Sequence, residues 1–290
     1  MYIKADTFKF ADLHTHTTCS DGCFTPSELV EYAAKKNVAV LAITDHDSVA
    51  GIDEAIRAGF KFGVEIIPGI ELNTDIKDTD LHILGYYFDY NNPEFIERVN
   101  TLRFSRIDRM QRMLKKLAEM GFRMTLDEVR EEANRGADTA HDSSIGRPHL
   151  ARLMVRKGMA EDERAVFDRY IGNGKPCHVE VMNKLSPADA VEFIVKFGGI
   201  PVMAHPGLAQ RDDLIAGLVS HGLAGIEAVH SSHDPQTVVR YEKMAEKMGL
   251  LVTGGSDCHG PRANCNPVCG SVKLSLDRVE ALKKRKSSNR

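Results

Sequence analysis

The sequence lacks any apolar run long enough to cross a membrane, since charged residues interrupt every hydrophobic stretch before the roughly eighteen residues that a span requires. Its first residues, MYIKADTFKF, do not carry the basic-then-apolar pattern of a secretion signal, so a cytoplasmic location and no membrane partner are expected. An excess of one charge is missing as well. The formal net charge of -3 excludes a global attraction to nucleic acid and leaves anion binding to local residues. Cysteine is sparse: six residues, at 19, 23, 177, 258, 265 and 269, read as reduced thiols rather than as a disulfide framework. Cys19 with Cys23 and Cys265 with Cys269 have the CxxxC spacing of a structural zinc site, but small buried residues are the simpler reading. Internal repeats are absent, and only the tail KKRKSSNR reads as frayed.

What is present suits one large α/β domain with an insert. Apolar, β-branched runs (FKFADL, VAVLAIT, VEIIPGIEL, HILGYYF, GGIPVMAH, GIEAVH, LLVTGGS) alternate with helical stretches, which argues for a parallel sheet or barrel. Thr25-Pro26-Ser27-Glu28 reads as a capping box, and Ser186-Pro187 and Asp234-Pro235 open two later helices that run to glycine. Between residues 93 and 180 the strand signal gives way to amphipathic helices, with Leu102, Ile107, Met110, Leu114 and Leu117 on one face. The expected organisation is therefore a barrel from residues 1–92 and 181–290, with a slightly basic helical insertion over 93–180 that caps it. Along the first inserted helix Arg103, Arg106, Arg109 and Arg112 recur every three residues, and a solvated face is the expected reading.

The chemistry lies in the histidines. Six of the twelve fall in short motifs beside apolar runs: His14 and His16 in LHTHTTCSD, His46 in TDHD, His82 in DLHILGY, His205 in MAHPG and His259 in SDCHG. In a strand, residues i and i+2 face one way, so His14 and His16 can grip one ion. A lone HxH carries little weight, but here Asp21, Glu71 and Asp257 stand at neighbouring strand ends, where barrel enzymes assemble their sites.

The order HTH, D, TDHD, PGIE, HILGY, AHP and SDxH resembles the PHP (polymerase and histidinol phosphatase) family of metal-dependent phosphoesterases over nearly the whole chain. Within it, the likeness is to bacterial members whose helical insert carries GRPH, here Gly146-Arg147-Pro148-His149, and which act on nucleotide monophosphates, nucleoside 3',5'-bisphosphates or 5'-phosphorylated RNA ends. The resemblance implies a distorted seven-stranded (β/α)7 barrel with three divalent metal ions in its mouth. His14, His16, Glu71 and Asp257 would hold one, Glu71, His82 and His205 the second, and Asp21, His46 and His259 the third. Six neutral imidazoles and three carboxylates leave the ions a positive surplus that suits a phosphomonoester dianion. Such histidine-rich sites favour Mn, Fe or Zn over Mg. A metal-bridged hydroxide is the expected nucleophile. The pattern departs from the family at Cys258 and at Cys177-His178, which bears on substrate shape.

Four further residues are candidates for catalysis. Arg147 can grip phosphate with its planar fork, and His149 can add a hydrogen bond or a proton. His230 and His233, in EAVHSSH, stand by position at the same mouth. Asp45 and Asp47 read as orienters of their neighbours, and His141, His178 and His221 as incidental. The function expected is phosphate removal from AMP or a nucleoside 3',5'-bisphosphate. The alternatives are a 5'-3' exonuclease on short 5'-phosphorylated RNA and a histidinol phosphatase, against which the GRPH insert counts. An amidohydrolase would add a bridging lysine that no strand end supplies. A non-catalytic accessory module would not need the full ligand set. Protein partners leave no mark in the sequence.

Overall fold

A computed structural model describes residues 9–76, 79–135, 144–261 and 268–288. Seven strands form one sheet in chain order: β1 (Phe10–Asp12), β2 (Val38–Ile43), β3 (Glu65–Ile76), β4 (Thr79–Tyr86), β5 (Ile200–Met203), β6 (Gly225–His230) and β7 (Leu251–Gly255). Backbone bonds from Leu13 N to Gly254 O (3.1 Å), from Asp257 N to His14 O (2.8 Å) and from His16 N to Cys258 O (2.9 Å) bring the two ends together, so the sheet is a nearly closed barrel. Helices alternate with the strands. They are α1 (Pro26–Lys35), α2 (Ile52–Phe62), α3 (Pro93–Glu119), α4 (Leu126–Ala133), α5 (Arg147–Arg156), α6 (Glu163–Val166), α7 (Pro187–Lys196), α8 (Pro206–Ala209), α9 (Ile215–Ser220), α10 (Pro235–Met248) and α11 (Leu276–Ser288). The expected caps are present. Thr25 Oγ1 accepts the Glu28 N–H while the Glu28 carboxylate accepts that of Thr25, and Ser186 and Asp234 cap α7 and α10.

Parallel pairing does not run throughout the barrel. β4 is antiparallel to both β3 and β5, because a short connection folds it back beside β3. Its beginning, rather than its end, therefore reaches the mouth. A side-chain period of two then places Asp80, His82 and Leu84 on one face of β4, with His82 opposite Asn73 of β3.

Leu13, Ile67, Leu84, Val202 and Ala204 belong to one buried cluster of the barrel, and each large aliphatic side chain so buried contributes roughly 1.5–3 kcal/mol. The long α3 has two partners. Phe95, Val99 and Leu102 pack with the barrel's outer helices, where Phe95 stacks on Phe88 and Phe193. Met110, Met113, Leu114 and Leu117 join α4, α5 and residues to Val179 in a separate core. No helix among the described residues is long and apolar enough to cross a membrane.

At the join between β7 and the segment after β1 the chains touch backbone to backbone. A Cβ on Gly255 would lie 2.3 Å from His14 N, a distance that only glycine avoids. Gly255→Ala is expected to lower stability by about 1–3 kcal/mol, read as a fall in the midpoint of urea unfolding.

Candidate metal centre

The first motif is aimed by the residue between its histidines. Buried Thr15 donates its hydroxyl to Ala42 O (2.7 Å) and its N–H to Thr44 Oγ1 (3.0 Å), so His14 and His16, on its two sides, both turn into the mouth. Asp45 anchors the following loop: its carboxylate accepts the Thr17 N–H and hydroxyl, both at 2.7 Å, and the Ser20 hydroxyl. That loop carries Asp21 back over the site, as an orienting role for Asp45 requires.

Glu71, almost fully buried, stands at the centre. Its Oε2 lies 3.3 Å from His14 Nε2, 3.3 Å from His16 Nε2 and 2.9 Å from His46 Nδ1. Its Oε1 lies 2.8 Å from His82 Nδ1 and 3.1 Å from His205 Nε2. Asp257 Oδ1 approaches His16 Nε2 at 3.0 Å and His14 Nε2 at 3.5 Å. On the other side His16, Asp21, His46 and His259 form a second group, with His259 Nε2 3.2 Å from Asp21 Oδ1. All nine residues named for metal binding are thus within one continuous cluster.

Several residues orient these groups. Glu227, absent from the sequence reading, is wholly buried and receives His14 Nδ1 at 3.0 and 3.1 Å and the His205 N–H at 2.8 Å. With its Nδ1 proton on Glu227, His14 turns the Nε2 lone pair toward Glu71. His259 donates Nδ1–H to Asp257 O (2.9 Å) and so offers Nε2 to Asp21. Asn73 Nδ2 meets both His46 Nδ1 (3.1 Å) and Asp47 (3.3 Å). The backbone is strained at the same place: Asp47, His205 and Asp257 have φ of 46°, 25° and 53°, conformations that side chains other than glycine adopt at a cost.

Charge is distributed as a cation site requires. Burial disfavours the ionised forms, but His46, His14 and His82 outweigh it and hold Glu71 well below the ordinary carboxylate range. Burial likewise opposes a charge on His46, yet Glu71 and Asp21 raise its pKa to about 9. His16, pressed by burial and by His259 and His46, falls to about 3 and is neutral. Buried His14 Nε2, His16 Nε2, Asp21 Oδ1 and Glu71 Oε2 have no hydrogen-bond partner. Two donors about 2.0–2.1 Å from a shared tetrahedral ion stand roughly 3.3 Å apart, the separation of Glu71 Oε2 from both His14 and His16. These side chains are able to hold divalent cations.

The cluster opens into a cavity shared with the segment between β4 and β5. Asp21, His46, His82 and His259 line one part, and Arg106, Arg109, Arg147 and Lys184 another, beside Leu102, Phe167 and Val181. Arg103, Arg106, Arg109 and Arg112 of α3 do not all face solvent. A spacing of three turns each by about 60° from the last, so Arg106 and Arg109 enter the cavity while Arg103 and Arg112 flank it. Arg106 Nε donates to Asp47 at 2.6 Å. Burial, Arg147 and Arg106 pull the pKa of Arg109 to about 10.

The remaining candidates divide. Arg147 lines the cavity, but its guanidinium already donates to Asp80 and to Asn173, each at 2.8 Å. His149 does not reach the cavity. It is fully buried, its Nδ1 accepts the Gly146 N–H at 3.0 Å at the start of α5, and burial together with Arg152 lowers its pKa to about 3. His230 is buried near Asp257, His14 and Glu227, with Nε2 3.7 Å from Asp257. His233 also departs from expectation: Nδ1 donates to Ala228 O (2.9 Å) and Nε2 accepts the Gly207 N–H (3.1 Å), which occupies both nitrogens in holding the turn after His205. Cys258 is a buried thiol accepting the Gly260 N–H, and Cys177 lies in the insert core. The five described cysteines are free; Cys265 and His141 lie outside the described residues.

A family model described as the PHP domain matches residues 12–126. A 3',5'-nucleoside bisphosphate phosphatase from Chromobacterium violaceum is 34% identical over 86% of this chain and 87% of its own length. A 5'-3' exoribonuclease from Haemophilus influenzae is 33% identical over 93% of this chain and 96% of its own. Among solved structures, a Bifidobacterium adolescentis protein assigned as a metal-dependent phosphoesterase aligns with a TM-score of 0.85 at 30% identity, covering 96% of both chains.

Glu227 touches the cluster only through His14 and His205. Glu227→Gln is expected to weaken metal affinity by about 10–100-fold, measured by competition with a chromogenic chelator.

Proposed function

Because the chain belongs to the PHP family and is a metal-dependent phosphoesterase, we propose that it removes phosphate from nucleotides, with nucleoside 3',5'-bisphosphates and AMP as its substrates. One observation carries this reading: a single cavity sets the histidine–carboxylate cluster against a wall of Arg106, Arg109, Arg147 and Lys184, with Leu102, Phe167 and Val181 beside it. The cationic wall suits a second phosphate, and the apolar residues suit a sugar or base.

Three divalent ions, Mn, Fe or Zn, would be held by His14, His16, Glu71 and Asp257, by Glu71, His82 and His205, and by Asp21, His46 and His259. Bound there, they would polarise the phosphoryl group and activate water. The chain's own groups do the positioning. Glu71 serves two ion sites at once, Glu227 and Asn73 fix the rings of His14 and His46, and Asp45 holds the Asp21 loop. Residues 93–180 act as the substrate cap on the barrel formed by 1–92 and 181–290, and Arg106, Arg109 and Arg147 on that cap bind the phosphate remote from the cluster. His230, buried against Asp257, keeps that carboxylate in place. A 5'-phosphorylated RNA end would present the same groups to the same cavity, and likeness to an exoribonuclease favours that second reading.

Phosphate release by Mn-loaded protein from adenosine 3',5'-bisphosphate, AMP, a short 5'-phosphorylated RNA and histidinol phosphate tests the proposal. The bisphosphate or AMP is expected to be turned over fastest, with activity lost on chelation. Asp257→Ala is expected to lower kcat/KM at least about a thousand-fold with an unchanged far-UV circular dichroism spectrum. Preference for histidinol phosphate, or wild-type rates in the variant, would contradict it.

A further inference from the structure

The cationic wall contains a carboxylate that the reaction does not require. Asp80 lies on β4 two residues before His82, on the same face of the strand and about 7 Å along it. Its Oδ2 accepts the Arg147 guanidinium at 2.8 Å and the Asn173 amide at 3.4 Å, and its Oδ1 lies 3.8 Å from Lys184 Nζ. Arg147, Asn173 and Lys184 thus converge on one anionic group beside the cluster.

We propose that Asp80 is a specificity-determining residue that occupies, in the free enzyme, the place taken by the second phosphate of a nucleoside 3',5'-bisphosphate. This rests on the function proposed above and adds to it how the substrate is selected. Two features of the site support it. The planar fork of Arg147 donates through one nitrogen to Asp80 Oδ2 and through the other to Asn173 Oδ1, so both its ends are turned to where a phosphate oxygen could replace them. The step from His82 to Asp80 is of the order that a ribose bearing phosphates on its 3' and 5' oxygens spans. A phosphate dianion brings more charge to Arg147, Lys184 and Arg109 than the single charge of Asp80 and displaces it. A substrate without that phosphate leaves the Asp80–Arg147 pair intact and gains nothing from the wall. Asp80 therefore keeps Arg147 poised without a ligand and lowers the affinity for any anion that must displace it, so it sets how far the second phosphate is preferred.

The test is Asp80→Asn, with Asp80→Glu as the variant that keeps the charge. In Mn-loaded protein the ratio of kcat/KM for adenosine 3',5'-bisphosphate to that for AMP is expected to rise about ten-fold in Asp80→Asn, through KM. The ratio in Asp80→Glu should lie nearer to wild type. An unchanged ratio in Asp80→Asn, or an equal change in both variants, would overturn the proposal. Calorimetric titration of both nucleotides into chelator-treated protein separates this from the broader reading. If the wild type hydrolyses neither nucleotide, the proposed function fails, while tighter binding of the bisphosphate over AMP by Asp80→Asn still supports the role of Asp80, and equal binding removes it.

Discussion

One buried carboxylate governs the architecture of the site. Glu71 touches five imidazoles inside a nearly closed barrel, where an ionised group without compensation costs several kcal/mol. Among the described residues no lysine or arginine pairs with it, so compensation comes from protons on the rings or from cations between them. Protons serve only in part: Glu71 and Asp21 raise His46 to about 9, while burial and neighbouring imidazoles hold His16 neutral. The cluster is a set of donors that a divalent ion satisfies better than the protein can by itself.

The rest of the fold delivers those donors. The reversal of β4 brings His82 to the mouth and puts Asp80 on the same face. The glycine at the barrel join lets β7 approach His14 closely enough for Asp257 to follow it. Strained backbone at Asp47, His205 and Asp257 aims groups that relaxed loops would turn away. The long α3 then carries two arginines over the opening from a helix rooted in the barrel's own apolar packing.

Most of the cluster was legible because strand ends punctuate the chain. His14, His16, His46, His82, His205 and His259 each lie in a short motif beside an apolar run, and those runs became strands. Glu227 and Asp80 were not legible as site residues, because the role of a carboxylate in a strand depends on what a distant segment places against it. The arginine ladder was read as solvated because periodicity fixes which residues share a helix face but not which face turns to the barrel. His149 was assigned to substrate from the GRPH motif and His233 from its position after a strand; His149 Nδ1 went to the Gly146 N–H and both nitrogens of His233 to backbone groups of a local turn, a choice that requires the turn geometry. Parallel pairing was inferred from alternation, which holds from β1 to β3 and from β5 to β7 but not for β4, antiparallel to both its neighbours.

The central claim is that Glu71 organises the bound cations, and elemental analysis of manganese-reconstituted wild-type and Glu71→Gln protein tests it most directly. The account predicts three ions per wild-type chain and at most one in the variant, since Glu71 serves two of the three ion sites. Equal metal content in the two folded proteins would contradict it.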